Sequence, residues 1–249
     1  NCQVFGVGHG CAVSWNEEGT RLETKIIPIY EVPSHKFNVA ELATLTDFLS
    51  MRNLSDMSSL TKSEIIAGLT KFIHTYRDWV DKKSNIISSL DESLHDIGEE
   101  HIEECYECTR RLLQGVHILN TEPEVFQAFQ LANRAMLLQR AHGWLQQNKR
   151  YPEEGEINWP DYGGLSPSRA SWRPFQLAFL LLNIKGISNP DSEERDIVDL
   201  IWFPTGGGKT EAYLGLSAFV IFLRRLRHPQ LGAGTAIIMR YTLRLLTTQ

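Results

Sequence analysis

The residues whose types and spacing promise chemistry are Gly206, Gly207, Gly208, Lys209 and Thr210. Consecutive glycines let the backbone adopt positive φ, so that successive N–H groups can turn inward onto phosphate oxygens. A lysine directly after them is placed to reach β- and γ-phosphates, and the next hydroxyl suits a Mg²⁺ ion. Lys209 and Thr210 are therefore the candidate catalytic pair, with Thr210 as the metal ligand. The full glycine-loop pattern asks for another glycine five residues before its last one, and Phe203 stands there instead. The alternative is a glycine-rich turn before an ordinary helix, with Lys209 simply solvated.

Such a loop works only between a strand that delivers it and a helix that opens on it. The apolar run Ile197–Phe203 predicts the strand, and Ala212–Leu226 predicts the helix. The N-terminus of that helix would add its partial positive charge at the phosphate position. A second strand is predicted over Gly234–Arg240.

Pro204-Thr-Gly-Gly-Gly-Lys-Thr-Glu211 resembles motif I of superfamily 2 helicases. Arg173-Pro-Phe-Gln176, which places its glutamine 33 residues before Lys209, resembles the segment of that superfamily whose glutamine reads the adenine edge. Tyr241–Gln249 resembles motif Ia, which touches the nucleic-acid backbone. More narrowly, Trp202–Leu216, the Phe222–Arg227 segment and Gly6–Trp15 resemble the large helicase of DISARM phage-defence systems. The resemblance implies a RecA-like P-loop lobe, ATP and Mg²⁺ as cofactors, and an ATP-hydrolysing DNA helicase or translocase. It implies an ATP-binding set of Gln176, Pro204, Thr205, Gly206, Gly207, Gly208, Lys209, Thr210 and Glu211, with Thr242, Arg244 and Gln249 as DNA contacts. DNA, a second defence-system subunit carrying a DUF1998-like module, and a methyltransferase of the same system are the implied partners. The acidic motif and second-lobe arginine of such a motor are not in the sequence, so the chain is expected to be the front of a larger protein and not to hydrolyse ATP alone.

Composition fits a globular chain: 249 residues, 42% hydrophobic and 22% charged. No apolar run reaches the length of a membrane span, and no basic-plus-apolar leader opens the chain; a cytoplasmic protein without a membrane partner is expected. The net charge of −5 argues weakly against nucleic acid, but residues 202–249 hold six basic residues against Glu211 alone, a net +5. Arg224, Arg225 and Arg227 either guide a phosphate backbone or end a helix in solvent. Cys105 and Cys108 have metal-ligand spacing, with His9 and Cys11 as conceivable completions, yet Glu103–Leu113 reads as continuous helix, where both thiols can simply pack inward.

Residues 1–38 read as a β segment, with short runs at Val4–Val7, Ala12–Trp15 and Leu22–Ile29 around an Asn16–Gly19 turn. Residues 39–148 read as a helical domain: a short helix marked by Leu42, Leu45, Phe48 and Leu49, a longer one from Ile65 to Val80, a third from about Leu94 to Leu119 with an acidic front, and a fourth opened by a capping box at Thr121–Glu124. On the fourth, Gln127, Gln130, Asn133, Arg134, Gln139 and Arg140 form a polar face that could meet nucleic acid or a partner. Residues 149–172 read as an extended linker, in which Trp159, Tyr162 and Trp172 either pack or stack on bases. Residues 173–249 complete the reading as the first part of a RecA-like lobe. The fold class expected is α/β, a partial P-loop motor lobe behind a mostly helical domain and a short β segment. Two rival functions remain open: another P-loop ATPase or kinase uncoupled from nucleic acid, and a nucleotide-binding scaffold without turnover.

Overall fold

The computed structural model describes residues 4, 12–26, 45–147, 170–203 and 207–240. The chain divides into two compact units, Asn1–Lys36 and Phe37–Gln249.

In the first unit, β1 (Ala12–Trp15) and β2 (Leu22–Ile26) pair antiparallel, with Val13 opposite Thr24 and Trp15 opposite Leu22. Asn16 explains the turn between them. Its side-chain oxygen accepts from the Arg21 N–H at 2.9 Å, and its amide donates to the Thr20 hydroxyl at 2.8 Å. Asparagine favours turns for this reason, since it replaces ladder hydrogen bonds with its own.

The second unit is helical: α1 (Thr46–Leu49), α2 (Lys62–Ser84), α3 (His95–Thr121), α4 (Pro123–Gln147), α5 (Pro174–Ser188) and α6 (Lys209–Arg227). Thr61 caps α2. Its hydroxyl accepts the Glu64 N–H while the Glu64 carboxylate accepts the Thr61 N–H at 2.7 Å, satisfying two of the donors that a helix start leaves bare. Ile65, Leu69, Phe72, Ile73 and Val80 then line one buried face at three- and four-residue steps.

The break between α3 and α4 is not the cap expected at Thr121. Thr121 is the last residue of α3, and its hydroxyl donates back to the His117 carbonyl at 3.0 Å. Glu122 leaves the helix at φ −108°, ψ 106°, because Pro123 bars the helical region to the residue before it. Proline, and not threonine, sets this boundary.

Helix α2 packs on α3, α3 on α5, α5 on α6, and α4 on α6. One buried cluster joins Leu54, Leu69, Leu119, Phe129, Leu137, Leu177, Leu180 and Phe219, so residues before and after the 149–172 segment share a core. At the α3–α5 crossing the backbones nearly touch: a Cβ on Gly115 would lie 2.2 Å from the Leu181 carbonyl oxygen. Of the expected linker, only 170–172 is described. It is tied back by Met51 N–H to the Ala170 carbonyl and Trp172 N–H to the Leu49 carbonyl, each 2.8 Å.

The architecture is thus mostly helical with a small two-stranded sheet. The strands expected at 197–203 and 234–240 are absent: both segments are described, and neither joins a β ladder. Apolar runs become strands only where neighbours supply ladder partners. Among the described residues none does so here, and Val198, Leu200, Trp202 and Ile238 stand 79–93% exposed. No helix among the described residues is long and apolar enough to cross a membrane.

Candidate nucleotide-binding site

The starts of α5 and α6 meet at Gly207–Lys209. Gly208 precedes α6 with φ 81°, the left-handed region that glycine enters without penalty. The site also leaves no room for a side chain there. A Cβ on Gly208 would fall 2.7 Å from Gln176 Nε2 and 3.3 Å from both an Arg173 guanidinium nitrogen and a Glu211 carboxylate oxygen.

Those neighbours hold the loop from outside. Gln176 is buried; its Nε2 donates to the Gly208 carbonyl at 2.7 Å, and its Oε1 accepts the Arg173 N–H at 2.8 Å. The Arg173 guanidinium donates to the Gly207 carbonyl at 2.5 Å. Two backbone carbonyls at the end of the loop are thus held by side chains from the start of α5. Pro174 at the first turn of α5 fixes the angle at which Arg173 and Gln176 arrive. Phe175 stacks on Phe203 just ahead of the loop, with ring centroids 4.0 Å apart and 16° between planes. Lys209 Nζ donates to the Phe203 carbonyl at 2.5 Å, so its ammonium spans the loop from α6 back to the entering segment. Thr210 is exposed, and Glu211 lies 3.7 Å from the Arg140 guanidinium of α4.

Of the expected set, Gln176, Gly207, Gly208, Lys209, Thr210 and Glu211 are brought together. Pro204, Thr205 and Gly206 lie outside the described residues, as do Thr242, Arg244, Gln249, His9, Cys11, Trp159 and Tyr162. The described residues fit a nucleotide triphosphate with Mg²⁺: glycine at positive φ before a helix N-terminus, an ammonium, and an exposed threonine. Arg173 and the Phe175–Phe203 stack are additions that only three-dimensional proximity reveals.

The segment entering the loop has a buried anchor. Arg111 of α3 donates to both Asp199 oxygens, at 2.7 and 2.9 Å, a bidentate fork. Its Nε faces a Glu194 oxygen at 3.6 Å, and neither atom has a hydrogen-bond partner among the described residues. Lys185 holds the other Glu194 oxygen at 3.2 Å. Asp199 above all, then Glu194, raises the Arg111 guanidinium above its ordinary pKa against the opposing effect of burial.

Other polar residues turn out to be structural. Asn133 is fully buried, accepts the Trp172 indole N–H at 2.7 Å and donates to the Phe129 carbonyl at 2.8 Å. It therefore does not belong to an exposed face of α4, and Trp172 packs instead of stacking on bases. Gln130 and Arg134 reach Ser55 and Asp56 at 3.4 and 3.0 Å. Arg224 donates to the Ala233 and Thr235 carbonyls, both at 3.0 Å, while Arg227 donates to the Ser188 carbonyl and to Glu122 at 2.8 Å. Arg224, Arg225 and Arg227 form the basic last turn of α6, as in one of the two readings expected, with Arg225 exposed and the other two also bonded to the protein's own groups. Cys105 and Cys108 lie half-buried on α3; burial pushes the Cys108 thiol up. No cluster of three or more potential metal ligands occurs among the described residues.

The chain is similar over its whole length to a DISARM protein. That relative is DISARM protein DrmA of Bacillus paralicheniformis, 36% identical over 268 residues that take in 100% of this chain and 22% of the relative. The chain spans about a fifth of the length of the curated relative it matches. No family model matches the chain.

Proposed function

We propose that this chain is the nucleotide-binding part of an ATP-dependent superfamily 2 DNA helicase or translocase that acts in DISARM-type antiphage defence. The observation that carries the reading is the braced glycine loop: Gly208 at positive φ on the start of α6, with Gln176 and Arg173 on its carbonyls and Lys209 across it. In this reading residues 173–249 are the first part of a RecA-like lobe.

Bound ATP–Mg²⁺ would supply the reactive γ-phosphate and the charge that the metal spreads over it. Gly206, Gly207 and Gly208 would hold phosphate oxygens on backbone N–H groups, with Pro204 and Thr205 shaping the approach. Lys209 would exchange the Phe203 carbonyl for phosphate oxygens, and Thr210 would hold Mg²⁺. Glu211 would border the site beside Arg140. Gln176 would brace the loop through the Gly208 carbonyl and, with the second hydrogen of its Nε2, read the adenine edge. Thr242, Arg244 and Gln249 would touch DNA, and a second, DrmB-like subunit would complete the assembly in the cytoplasm.

The test is Mg²⁺-dependent nucleotide binding by the full-length protein. ATP should bind and Lys209→Ala should weaken it at least tenfold, while GTP, lacking the adenine edge, binds more weakly. Equal affinity for both nucleotides removes the role of Gln176. Binding that ignores Lys209 removes the site.

A further inference from the structure

The run Ile197–Phe203 hands the chain to the phosphate loop, yet most of its apolar side chains face solvent: Val198, Leu200 and Trp202 are among the most exposed in the protein. Burial does not hold this run in place. Two polar and aromatic ties do so instead. At its far end Phe203 is fixed by the Phe175 ring and by Lys209. At its near end Asp199 is gripped by Arg111, whose side chain is 8% exposed, in a fork of 2.7 and 2.9 Å.

Arg111 sits in α3, 88 residues earlier in the chain, and is itself over-determined. The same guanidinium lies 3.5 Å from the Leu182 carbonyl of α5 and 3.6 Å from Glu194, and the Ile197 N–H donates to the Glu194 carbonyl at 3.3 Å. The middle of α3, the middle of α5 and the loop's entering segment thus meet on one buried cation. A planar, bidentate pair transmits direction as well as charge, which a single-point ammonium contact does not.

Resting on the nucleotide-site reading above, we propose that Arg111 is a positioning residue for the phosphate loop: its fork to Asp199 fixes the line along which residues 199–203 deliver the loop to α6, and so couples the helical α2–α3 pair to nucleotide affinity. Arg111 touches no phosphate. Its effect is on the fraction of time the loop is correctly placed, and apparent affinity falls in proportion to that fraction.

The experiment measures Mg²⁺–ATP affinity by calorimetry, together with thermal unfolding, on full-length Asp199→Asn, Arg111→Lys and Arg111→Gln. Arg134→Gln serves as a control that loses an ion pair to Asp56 away from the loop. Asp199→Asn is the gentle variant, since Arg111 keeps Glu194 and the Leu182 carbonyl. It should weaken ATP about tenfold with little change in melting temperature, and Arg111→Lys, which keeps charge but not the fork, should do the same. Hydrogen exchange over residues 199–208 should quicken in both, and Arg134→Gln should change neither readout. Wild-type affinity in folded Asp199→Asn and Arg111→Lys overturns the proposal, even where their stability is lower, because the pair is then only structural. If the wild-type protein does not bind ATP through Lys209, it is the nucleotide-site reading that fails, and the proposal falls with it.

Discussion

Replacing Gly208 by alanine tests the geometry of the loop at its tightest point. Two costs can be read from the structure. An alanine held at φ 81° meets the left-handed penalty of roughly 1 kcal/mol. Its Cβ would also lie 2.7 Å from Gln176 Nε2, so the amide must withdraw and give up its hydrogen bond to the Gly208 carbonyl, a net loss of about 1 kcal/mol. The strain totals about 2 kcal/mol, and the protein can relieve it only by moving the loop. If the loop moves, the fold survives and nucleotide binding weakens by up to roughly 30-fold, at about 1.4 kcal/mol per factor of ten. If it does not move, the same strain appears as lost stability. Calorimetric ATP affinity and thermal unfolding of one preparation of full-length Gly208→Ala capture both outcomes. Wild-type affinity with wild-type stability would refute the reasoning, because the cradle would then tolerate the atom that the structure excludes.

Three further substitutions probe the frame around the site. Asn133→Leu strands the buried Trp172 indole N–H, which costs about 1–3 kcal/mol; at roughly 2–4 °C per kcal/mol the melting temperature should fall by several degrees while DNA binding is unchanged. A loss of DNA binding at unchanged stability would restore Asn133 to a nucleic-acid face. Thr61→Ala removes the cap of α2 and should lower stability by about 1 kcal/mol in chemical denaturation. It should also flatten the acid limb. The Thr61 hydroxyl above all, and then its N–H, hold the Glu64 carboxyl below its ordinary value of 4.5. A lowered folded pKa gives stability that is present above 4.5 and lost as pH falls through the lower folded value. Comparing wild type and Thr61→Ala from pH 6 to 3 should show their stabilities converging at the acid end; parallel curves would contradict it. Arg227→Ala cuts the ties of α6 to Ser188 and Glu122 and should speed hydrogen exchange at the end of α6 without altering salt-dependent DNA affinity.

Local signals were readable from the sequence alone. The β1–β2 hairpin followed from Asn16 and Gly19, α2 from its three- and four-residue steps, α3 from a helical stretch with an acidic front, and the start of α6 from glycines next to Lys209. Thr61-x-x-Glu64 and Thr121-x-x-Glu124 share one spacing, but only the first caps a helix, because Pro123 overrides the second. What the sequence concealed depends on partners far along the chain. Arg111 and Asp199 are 88 residues apart, and no pattern in one sequence links them. Asn133 looks like one amide among several until Trp172, 39 residues later, claims it. Arg224 and Arg227 read as a basic helix end, yet chain carbonyls and Glu122 take them up. The apolar runs at 197–203 and 234–240 have strand composition, but composition alone does not supply the neighbouring backbone that makes a strand.

The most direct test of the central claim is ATP hydrolysis by the full-length protein, alone and with single- or double-stranded DNA, beside Lys209→Ala. A DNA-coupled motor gives turnover that rises with DNA and disappears in Lys209→Ala. Turnover that ignores DNA would contradict the helicase reading and favour another P-loop ATPase or kinase, and the absence of turnover with ATP still bound through Lys209 would leave a nucleotide-binding scaffold in its place.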